Sequence, residues 1–280
     1  MIITVASGKG GTGKTLISTS FAKSIDNVQF LDCDVEEPNS YYFIHPTIEE
    51  EIPVKSFIPE VDYGKCNFCG RCQEICRFNA IAVVKNKVMI FETLCHHCGA
   101  CIWVCPEKAM KEKEITLGII KKGKRENIEF FEGKLVVGQP VAPPLIKEVK
   151  KRIRKDKNVI IDCAPGVACP MVNAIYGSDF VILVTEPTPF GFYDLKLAVE
   201  ICENLNLKKG VIINRSNGND KVIEDFCKRK GIPVLLKIPF DKKIAENYSK
   251  GITLVDTFPE FKEKFKKLFE EIKNLCEAKK

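Results

Sequence analysis

Short apolar runs alternate with segments of helical character along most of the chain. The first run, residues 2–6, leads into a glycine-rich loop, and residues 16–25 then have helical character. A second apolar run, residues 28–34, ends in the polar turn EEPNS. A strand, a loop, a helix and a second strand in this order predict the start of a parallel α/β sheet.

The same alternation returns in the second half of the chain. Residues 115–138 have the pattern of a β-ribbon with a lysine-rich turn that contains glycine. Helices are predicted over residues 143–155, 192–205 and 221–230, and strands over residues 159–163, 179–187, 210–216 and 232–240. The predicted fold is therefore α/β, with a mainly parallel, doubly wound sheet.

One segment interrupts this alternation. The composition changes at about Val61, and from there to residue 109 cysteines and short apolar pairs dominate. The segment is too small for a large core, so metal ligation is expected to supply most of its folding free energy. We therefore predict a discontinuous domain, residues 1–60 and 110–280, that carries a small inserted domain, residues 61–109.

Eight of the 14 cysteines form two runs with the same spacing, C-x2-C-x2-C-x3-C. This is the ligand pattern of bacterial ferredoxins, in which the fourth cysteine of each run binds the other cluster. On that rule one 4Fe–4S cluster takes Cys66, Cys69, Cys72 and Cys105, and the other takes Cys95, Cys98, Cys101 and Cys76. Two zinc sites are the alternative, because four thiolates also suit Zn²⁺, although three x2-spaced cysteines in succession favour clusters.

Three residues beside these ligands also bear on the chemistry. Arg77 stands where a proline usually follows the fourth cysteine, and its positive charge would shift the potential of a nearby cluster. His96 and His97 lie inside the second run, where the cysteine count is already complete. We expect these histidines to be hydrogen-bonding or exposed groups rather than ligands.

The glycine-rich loop matches the P-loop pattern G-x4-G-K-[ST] between a strand and a helix. Its backbone N–H groups and the helix N-terminus are expected to hold phosphates. Lys14 would reach the β- and γ-phosphates, and the Thr15 hydroxyl would bind Mg²⁺. The nucleotide-binding residues predicted here are Gly8, Gly10, Gly11, Thr12, Gly13, Lys14 and Thr15.

The overall composition is that of a globular chain of 280 residues with 45% apolar residues. No apolar run is long enough to span a membrane, and the N-terminus lacks the basic region of a signal peptide. Many cysteines without a secretory signal indicate metal binding and a cytoplasmic location. The net charge of +6 comes from lysines scattered among glutamates, which is typical of a solvated surface rather than a nucleic-acid interface.

A second lysine, Lys9, directly follows the first glycine of the loop. The sequence KGGTGKT with this extra lysine resembles the deviant Walker A loop of the MinD/ParA family, which includes the nitrogenase iron protein and Mrp-type iron–sulfur carriers. The resemblance implies that Lys9 reaches the phosphates of a partner subunit in a nucleotide-sandwich dimer. It therefore implies an ATP-dependent homodimer.

Further motifs of that family follow in the expected order. LDCD places Asp32 and Asp34 at the first switch, and IDCAPG places Asp162 in the Walker B position with Gly166 in the second switch. The resemblance implies that Thr15, Asp34 and Asp162 hold Mg²⁺ beside ATP or ADP. It also implies that Asn214 and Arg215 read the adenine, and IPFD, residues 238–241, resembles the loop flanking the base. Slow ATP hydrolysis would depend on Lys9, Lys14 and Asp34, since phosphoryl transfer needs mainly positioning and charge neutralisation.

Two features outside these motifs leave alternatives open. Cys169 lies just beyond the second switch, where cysteines of some relatives bind a cluster shared across a dimer, but no second cysteine accompanies it. Apolar residues between Phe258 and Cys276 recur at spacings of three and four, which predicts an amphipathic C-terminal helix. Its polar face has mixed charge, so we expect it to dock on the protein rather than on a membrane.

Three functions are compatible with the sequence. ATP binding and hydrolysis could gate electron transfer from a ferredoxin module to an unidentified redox partner. The two complete sets of cluster ligands favour this function. The protein could instead assemble or carry iron–sulfur or other metal clusters for a receiving protein. It could also be a MinD-like positional organiser with structural or sensory clusters.

Overall fold

The computed structural model describes residues 1–277, which form two compact units. The first unit comprises residues 1–52 and 120–134 together with the described residues from 143 onward. The second comprises residues 53–119 and 135–142. It extends beyond the predicted insert, residues 61–109, because the strand segments on either side, residues 53–60 and 110–119, and residues 135–142 also belong to it.

Most of the strands form one large sheet. The strands are β1 (Ile2–Ala6), β2 (Val28–Cys33), β3 (Thr47–Val61), β4 (Ile81–Val84), β5 (Lys87–Ile90), β6 (Met110–Arg125), β7 (Ile128–Leu135), β8 (Asn158–Cys163), β9 (Phe180–Thr185), β10 (Lys209–Ser216) and β11 (Val234–Pro239). Nine of them pair in the order β11-β10-β9-β1-β8-β2-β7-β6-β3. All pairings between neighbours from β11 to β7 are parallel, which confirms the predicted mainly parallel α/β sheet.

The register of the central strands places the carboxylates of two sequence motifs side by side. Asp32 on β2 pairs with Asp162 on β8, and Val5 on β1 also pairs with Asp162. These positions are at the carboxyl ends of parallel strands, where open α/β sheets bind ligands. The P-loop follows β1 at the same edge of the sheet.

β6 and β7 are neighbours joined by a two-residue turn, Glu126–Asn127, at which Glu126 has a φ angle of 50°. The predicted ribbon over residues 115–138 is therefore present, but its turn lies after the lysine-rich segment instead of within it. An asparagine in a two-residue turn is a common hairpin signal.

The helices are α1 (Lys14–Ala22), α2 (Tyr41–Ile44), α3 (Arg71–Ile75), α4 (Ala100–Trp103), α5 (Pro143–Lys150), α6 (Cys169–Ile175), α7 (Pro189–Asn204), α8 (Lys221–Lys230), α9 (Lys242–Tyr248), α10 (Leu254–Thr257) and α11 (Glu260–Glu277), with a 3₁₀ turn at Glu92–Leu94. α5 begins at its proline as expected but ends at Lys150, short of the predicted residue 155. The Lys150 ammonium donates to the carbonyl groups of Asn173, Ala174 and Tyr176 at the end of α6. α5 is thereby fixed to α6 at this residue.

The C-terminal helix α11 packs against α1. Phe265 is completely buried and stacks on Phe21 with a centroid separation of 5.7 Å, and Phe269 meets Phe21 edge-on at 6.1 Å. Leu268 and Ile272 are buried in the same cluster. The expected docking of this amphipathic helix on the protein is therefore confirmed. Among the described helices, none combines the length and apolar character that a membrane span requires.

The second unit has little apolar core of its own. β4 and β5 form a two-stranded antiparallel sheet. The buried apolar side chains that support it include Ile81, Val88 and Met110, together with the cysteine Cys101. Metal ligation would add stability to a unit with so few buried apolar side chains.

The packing of α11 on α1 leads to a stability prediction. Phe265→Ala removes a fully buried ring from this contact, so the free energy of unfolding should fall by about 3–5 kcal/mol. The measurement is urea unfolding followed by circular dichroism. Leu275→Ala, on the same helix but 36% exposed, is the control and should cost much less. Equal losses for the two variants would contradict the packing described here.

Candidate functional site

The loop between β1 and α1 meets the backbone requirements of a phosphate-binding loop. Gly11 and Gly13 have φ angles of 76° and 95°, in the left-handed region that glycine adopts at little cost. A side chain at Gly13 would also collide with the amide group of Asn214. α1 begins at Lys14, and the first backbone N–H groups of a helix have no intrahelical acceptor, so they are available to an anion.

A cavity of about 310 Å³ opens beside this loop. The Lys14 side chain borders it and is nearly buried, with 6% of its surface exposed. The other lining residues include Gly10, Gly11, Gly13, Thr15, Asp34, Asn39, Pro165, Asn214, Arg215, Phe240, Asp241, Ile244 and Tyr248. The cavity thus combines phosphate-binding loop groups with carboxylates and, just after β11 and on α9, apolar side chains suited to a flat base.

Asp162 is fully buried and is connected to this cavity through Thr15. Its Oδ2 atom accepts hydrogen bonds from the Thr15 hydroxyl at 2.7 Å and from the Ser40 hydroxyl at 3.3 Å. Its Oδ1 atom is buried and has no hydrogen-bond partner within the described chain. A buried carboxylate oxygen without a partner is costly, so Asp162 and Thr15 fit a site for a hydrated Mg²⁺ ion.

The three aspartates of this edge have raised pKa values. Burial raises the pKa of Asp34 to about 7, Asp162 adds to the rise, and Lys14 opposes it. Burial also raises the pKa of Asp32 well above its ordinary value, with a further contribution from Asp162. Burial likewise raises the pKa of Asp162, against the influence of Lys14. A divalent cation would relieve this crowding of carboxyl groups.

Asp32 has a structural role in this arrangement. Its Oδ1 atom accepts from the backbone N–H of Asp34 at 3.0 Å, and its Oδ2 atom accepts from that of Ser40 at 3.1 Å. Both oxygens therefore hold the segment that follows β2. Asp34, which borders the cavity, is the better candidate for contact with Mg²⁺ or water.

Lys9 is held by a residue that the sequence did not single out. Its ammonium group donates to Glu186 at 2.5 Å, and Glu186 also pairs with Arg215 at 2.9 Å. Glu186 is nearly buried, and although burial raises its pKa, the two cations outweigh this effect and lower it. The charge of Lys9 is thus compensated within its own chain.

Asn214 supports the P-loop in this structure. Its amide nitrogen donates to the carbonyl oxygen of Thr12 at 2.7 Å, and its Oδ1 atom accepts from the backbone N–H of Arg215 at 2.9 Å. Asn214, Arg215 and the segment around Phe240 all line the cavity, as the adenine-reading prediction requires. That assignment stays a prediction, because the amide is bonded to the loop backbone.

The eight cysteines of the two runs divide between two smaller cavities in the second unit. One has a volume of about 20 Å³ and is lined by Cys66, Cys69, Cys72 and Cys105. The other also has a volume of about 20 Å³ and is lined by Cys76, Cys95, Cys98 and Cys101. In each case three cysteines come from one run and the fourth from the other run. This is the crossed distribution expected from the ferredoxin pattern.

Backbone N–H groups approach the crossed cysteines. The N–H of Ala80 donates to Sγ of Cys76 at 3.3 Å, and the N–H of Ala109 donates to Sγ of Cys105 at 3.2 Å. Such bonds stabilise thiolate sulfur. Burial and the neighbouring cysteine Cys95 raise the pKa of Cys101 to about 11, so binding of iron must displace a proton there.

The quartets surround cavities rather than a single point. Within residues 1–277, no three His, Cys, Asp or Glu side chains converge closely enough to bind one metal ion. Cys69 and Cys98 are exposed, whereas Cys95 and Cys101 are buried. The donor set of each cavity, four thiols, suits an iron–sulfur cluster, which is larger than one ion.

The remaining cysteines differ in exposure. Cys33, Cys163, Cys202 and Cys227 are buried, and Cys276 is half-buried. Cys169 is exposed at the start of α6. Its position alone does not distinguish a cluster ligand from an ordinary surface thiol.

The chain is similar to proteins of known family. The CobQ/CobB/MinD/ParA nucleotide binding domain matches residues 3–255. An uncharacterized protein of Methanocaldococcus jannaschii is 34% identical over 261 residues, which make up 90% of each chain. MinD of Pyrococcus horikoshii, solved as a complex with Mg-ADP, has a TM-score of 0.59 and 21% identity over 100% of this chain and 98% of its own, which shows likeness of fold.

Two other relatives carry names that refer to iron and sulfur. An iron–sulfur cluster carrier protein of Rickettsia felis is 26% identical over 263 residues, 91% of this chain and 66% of the carrier. An uncharacterized ferredoxin of Methanocaldococcus jannaschii is 37% identical over 84 residues, 28% of this chain and 55% of the ferredoxin.

The raised pKa of Asp34 gives a pH prediction for the protein free of nucleotide and Mg²⁺. The folded protein binds a proton at Asp34 more tightly than the unfolded chain does. The contribution of Asp34 to the free energy of unfolding therefore falls as the pH rises from about 4 to about 7. Asp34→Asn removes this penalty. Urea unfolding should show the variant more stable than the wild type by about 2–4 kcal/mol at pH 8, with a smaller difference at pH 5.

Asp225→Asn is the matched control, because Asp225 is exposed on α8. It should change the free energy of unfolding little at either pH. An Asp34→Asn variant that is no more stable than the wild type at pH 8 would contradict the burial of an ionised Asp34.

Proposed function

Because this chain belongs to the CobQ/CobB/MinD/ParA nucleotide-binding family, we propose that it is a Mg²⁺-dependent ATPase that couples its nucleotide state to electron transfer through two 4Fe–4S clusters. Family membership carries the nucleotide-binding part of this function. The second unit carries the redox part. An ATP-dependent homodimer and an unidentified redox partner complete the proposal.

The division of the cysteines between two cavities is the observation that carries the redox part. Each cavity is surrounded by four thiols of the crossed set, so neither site needs a ligand from another chain. Complete ligation favours clusters that remain in the protein and exchange electrons. When bound, each cluster would supply a one-electron carrier whose potential depends on hydrogen bonds and solvent exposure.

The chain's own residues define the proposed ATP chemistry. Lys14 and the backbone N–H groups of the P-loop would neutralise phosphate charge, while Thr15 and Asp162 would hold Mg²⁺. Asp34 borders the same cavity and positions the attacking water or a water bound to Mg²⁺. No side chain has to act as a strong general base, since positioning and charge neutralisation provide most of the acceleration.

The Lys9–Glu186 ion pair fits a lysine that acts on a second subunit. In one chain Lys9 is compensated by Glu186, and Glu186 keeps a second cation, Arg215, as a partner. Lys9 could therefore leave Glu186 for the phosphates of a second subunit without leaving a buried carboxylate unpaired. The free-energy cost of moving Lys9 from Glu186 to these phosphates is therefore small.

A cluster carrier is the second candidate function. The similarity to the iron–sulfur cluster carrier protein and the exposure of Cys69 and Cys98 support it. Exposed ligands make a cluster accessible to an acceptor protein as well as to a redox partner. A positional organiser at a membrane has no comparable support, because the apolar face of α11 packs against α1.

Iron retention separates the two candidates. Protein prepared anaerobically should contain about eight iron atoms per chain and show the spectra of 4Fe–4S clusters. During ATP turnover with an apo-ferredoxin acceptor, an electron carrier keeps this iron, and iron analysis after separation of the proteins measures it. Transfer of iron to the acceptor would favour the carrier, and zinc without iron would contradict both candidates.

The role of Lys9 is tested by substitution. Lys9→Ala should abolish ATP-dependent dimerisation and lower the rate of hydrolysis by about two orders of magnitude. The variant lacks the ammonium group that would stabilise negative charge on the transferred phosphate. ATP binding by the monomer should be largely preserved. Light scattering, turnover assays and nucleotide titrations measure the three properties.

Lys55→Ala is the matched control for Lys9→Ala. Lys55 forms a similar ion pair, with Glu114 at 2.5 Å, but it belongs to the second unit. Its substitution should leave dimerisation and hydrolysis unchanged. Normal turnover in Lys9→Ala would show that Lys9 does not act on a partner's ATP.

A further inference from the structure

His97 borders one of the two cysteine cavities and has an unused hydrogen-bonding atom there. It lines the cavity together with the quartet Cys76, Cys95, Cys98 and Cys101. Its Nε2 atom is buried and has no hydrogen-bond partner within residues 1–277. A buried ring nitrogen without a partner is costly, which suggests that the missing partner is something the cavity holds.

The other ring nitrogen is fixed by Ser56. The Ser56 hydroxyl lies 3.0 Å from Nδ1 of His97. When this hydroxyl donates, Nδ1 is the acceptor and the proton of the neutral ring is on Nε2. This tautomer also suits a cavity surrounded by thiolates, because an N–H group attracts anionic sulfur whereas a lone pair repels it. With Ser56 as the donor to Nδ1, His97 is left with a donor at Nε2.

The first run provides an internal comparison. Phe68 and His97 occupy the same position, directly before the second cysteine of their runs, and both have left-handed backbone angles, with φ of 59° and 55°. The glycines that follow, Gly70 and Gly99, also agree, with φ of 80° and 74°. Phe68 lines the cavity of Cys66, Cys69, Cys72 and Cys105, but its side chain cannot donate a hydrogen bond. The two cysteine runs thus have the same backbone conformation at this position but different side chains, Phe68 and His97.

We propose that Nε2–H of His97 donates a hydrogen bond to a sulfur atom of the cluster held by Cys76, Cys95, Cys98 and Cys101, and that this cluster has the higher reduction potential of the two. The proposal rests on the proposed two-cluster function. A donor to cluster sulfur stabilises the additional negative charge of the reduced state. One electron enters the cluster on reduction, and His97 keeps its proton in both states.

The consequence is a direction for electron transfer within the second unit. An electron that enters at the cluster beside Phe68 moves to the cluster beside His97 and remains there preferentially. The second cluster would thus hold the electron that is passed on to the redox partner.

Redox titration followed by electron paramagnetic resonance tests the proposal. The wild type should show two midpoint potentials. His97→Phe reproduces the residue of the first run and should shift the higher midpoint to a more negative potential, so that the two approach each other. Phe68→His should shift the lower midpoint to a more positive potential. His97→Gln keeps an N–H donor and should retain part of the original separation.

His96→Phe is the matched control. His96 lines the same cavity, but it is exposed and stacks on Phe78 with a centroid separation of 3.6 Å, so it lacks the buried nitrogen of His97. Its substitution should leave both midpoints in place. Iron content and visible absorption measured on each variant show whether both clusters are loaded.

Unchanged midpoints in a fully loaded His97→Phe protein would overturn the His97 assignment and leave the two-cluster function intact. Equal shifts of both midpoints would also overturn it, because they would indicate a general change in the unit. If His97→Phe fails to load, Phe68→His and His97→Gln decide the question. A wild type without two clusters would overturn the proposed function itself, and the His97 assignment with it.

Discussion

The parallel register of β1, β8 and β2 is the constraint on which the nucleotide site depends. It places Asp32 and Asp162 side by side and brings the loop after β1 to the same edge of the sheet. Hydrogen-bonded pairing leaves no freedom for either strand to slip, because a shift of one residue would turn these carboxylates to the opposite face. The site is therefore fixed by the backbone before any ligand binds.

This arrangement has an electrostatic cost, which bound Mg²⁺ and nucleotide would relieve. Burial and mutual repulsion raise the pKa values of Asp32, Asp34 and Asp162, while Lys14 supplies a compensating charge. Asp32 is satisfied by two backbone N–H groups, whereas one oxygen of Asp162 is not. A hydrated divalent cation and a phosphate chain would satisfy the remaining groups together.

Local sequence patterns predicted the parts of this molecule that depend on local chemistry. The P-loop, the apolar strands and the C-terminal helix could be identified from glycine spacing and hydrophobic periodicity, because these features act over a few residues. The division of the cysteines was predicted by a spacing rule, and the cavities have the same crossed membership. The identity of the metal they bind still rests on the proposed function.

Contacts between distant segments could not be predicted in the same way. Glu186, directly after β9, compensates Lys9, and Ser56 on β3 lies within hydrogen-bonding distance of His97, at sequence separations of 177 and 41 residues. Neither partner belongs to a motif. The second unit is also larger than the cysteine-rich segment, because it takes in the end of β3 and the first part of β6, which no change in composition marks.

We propose that nucleotide state and cluster chemistry are coupled in one chain. The most direct measurement is the midpoint potential of the clusters in the anaerobic protein, determined once with ADP and once with a non-hydrolysable ATP analogue. Coupling predicts a different potential in the two nucleotide states, together with a different rate of electron delivery to an acceptor. Identical potentials and identical rates in both states would contradict it.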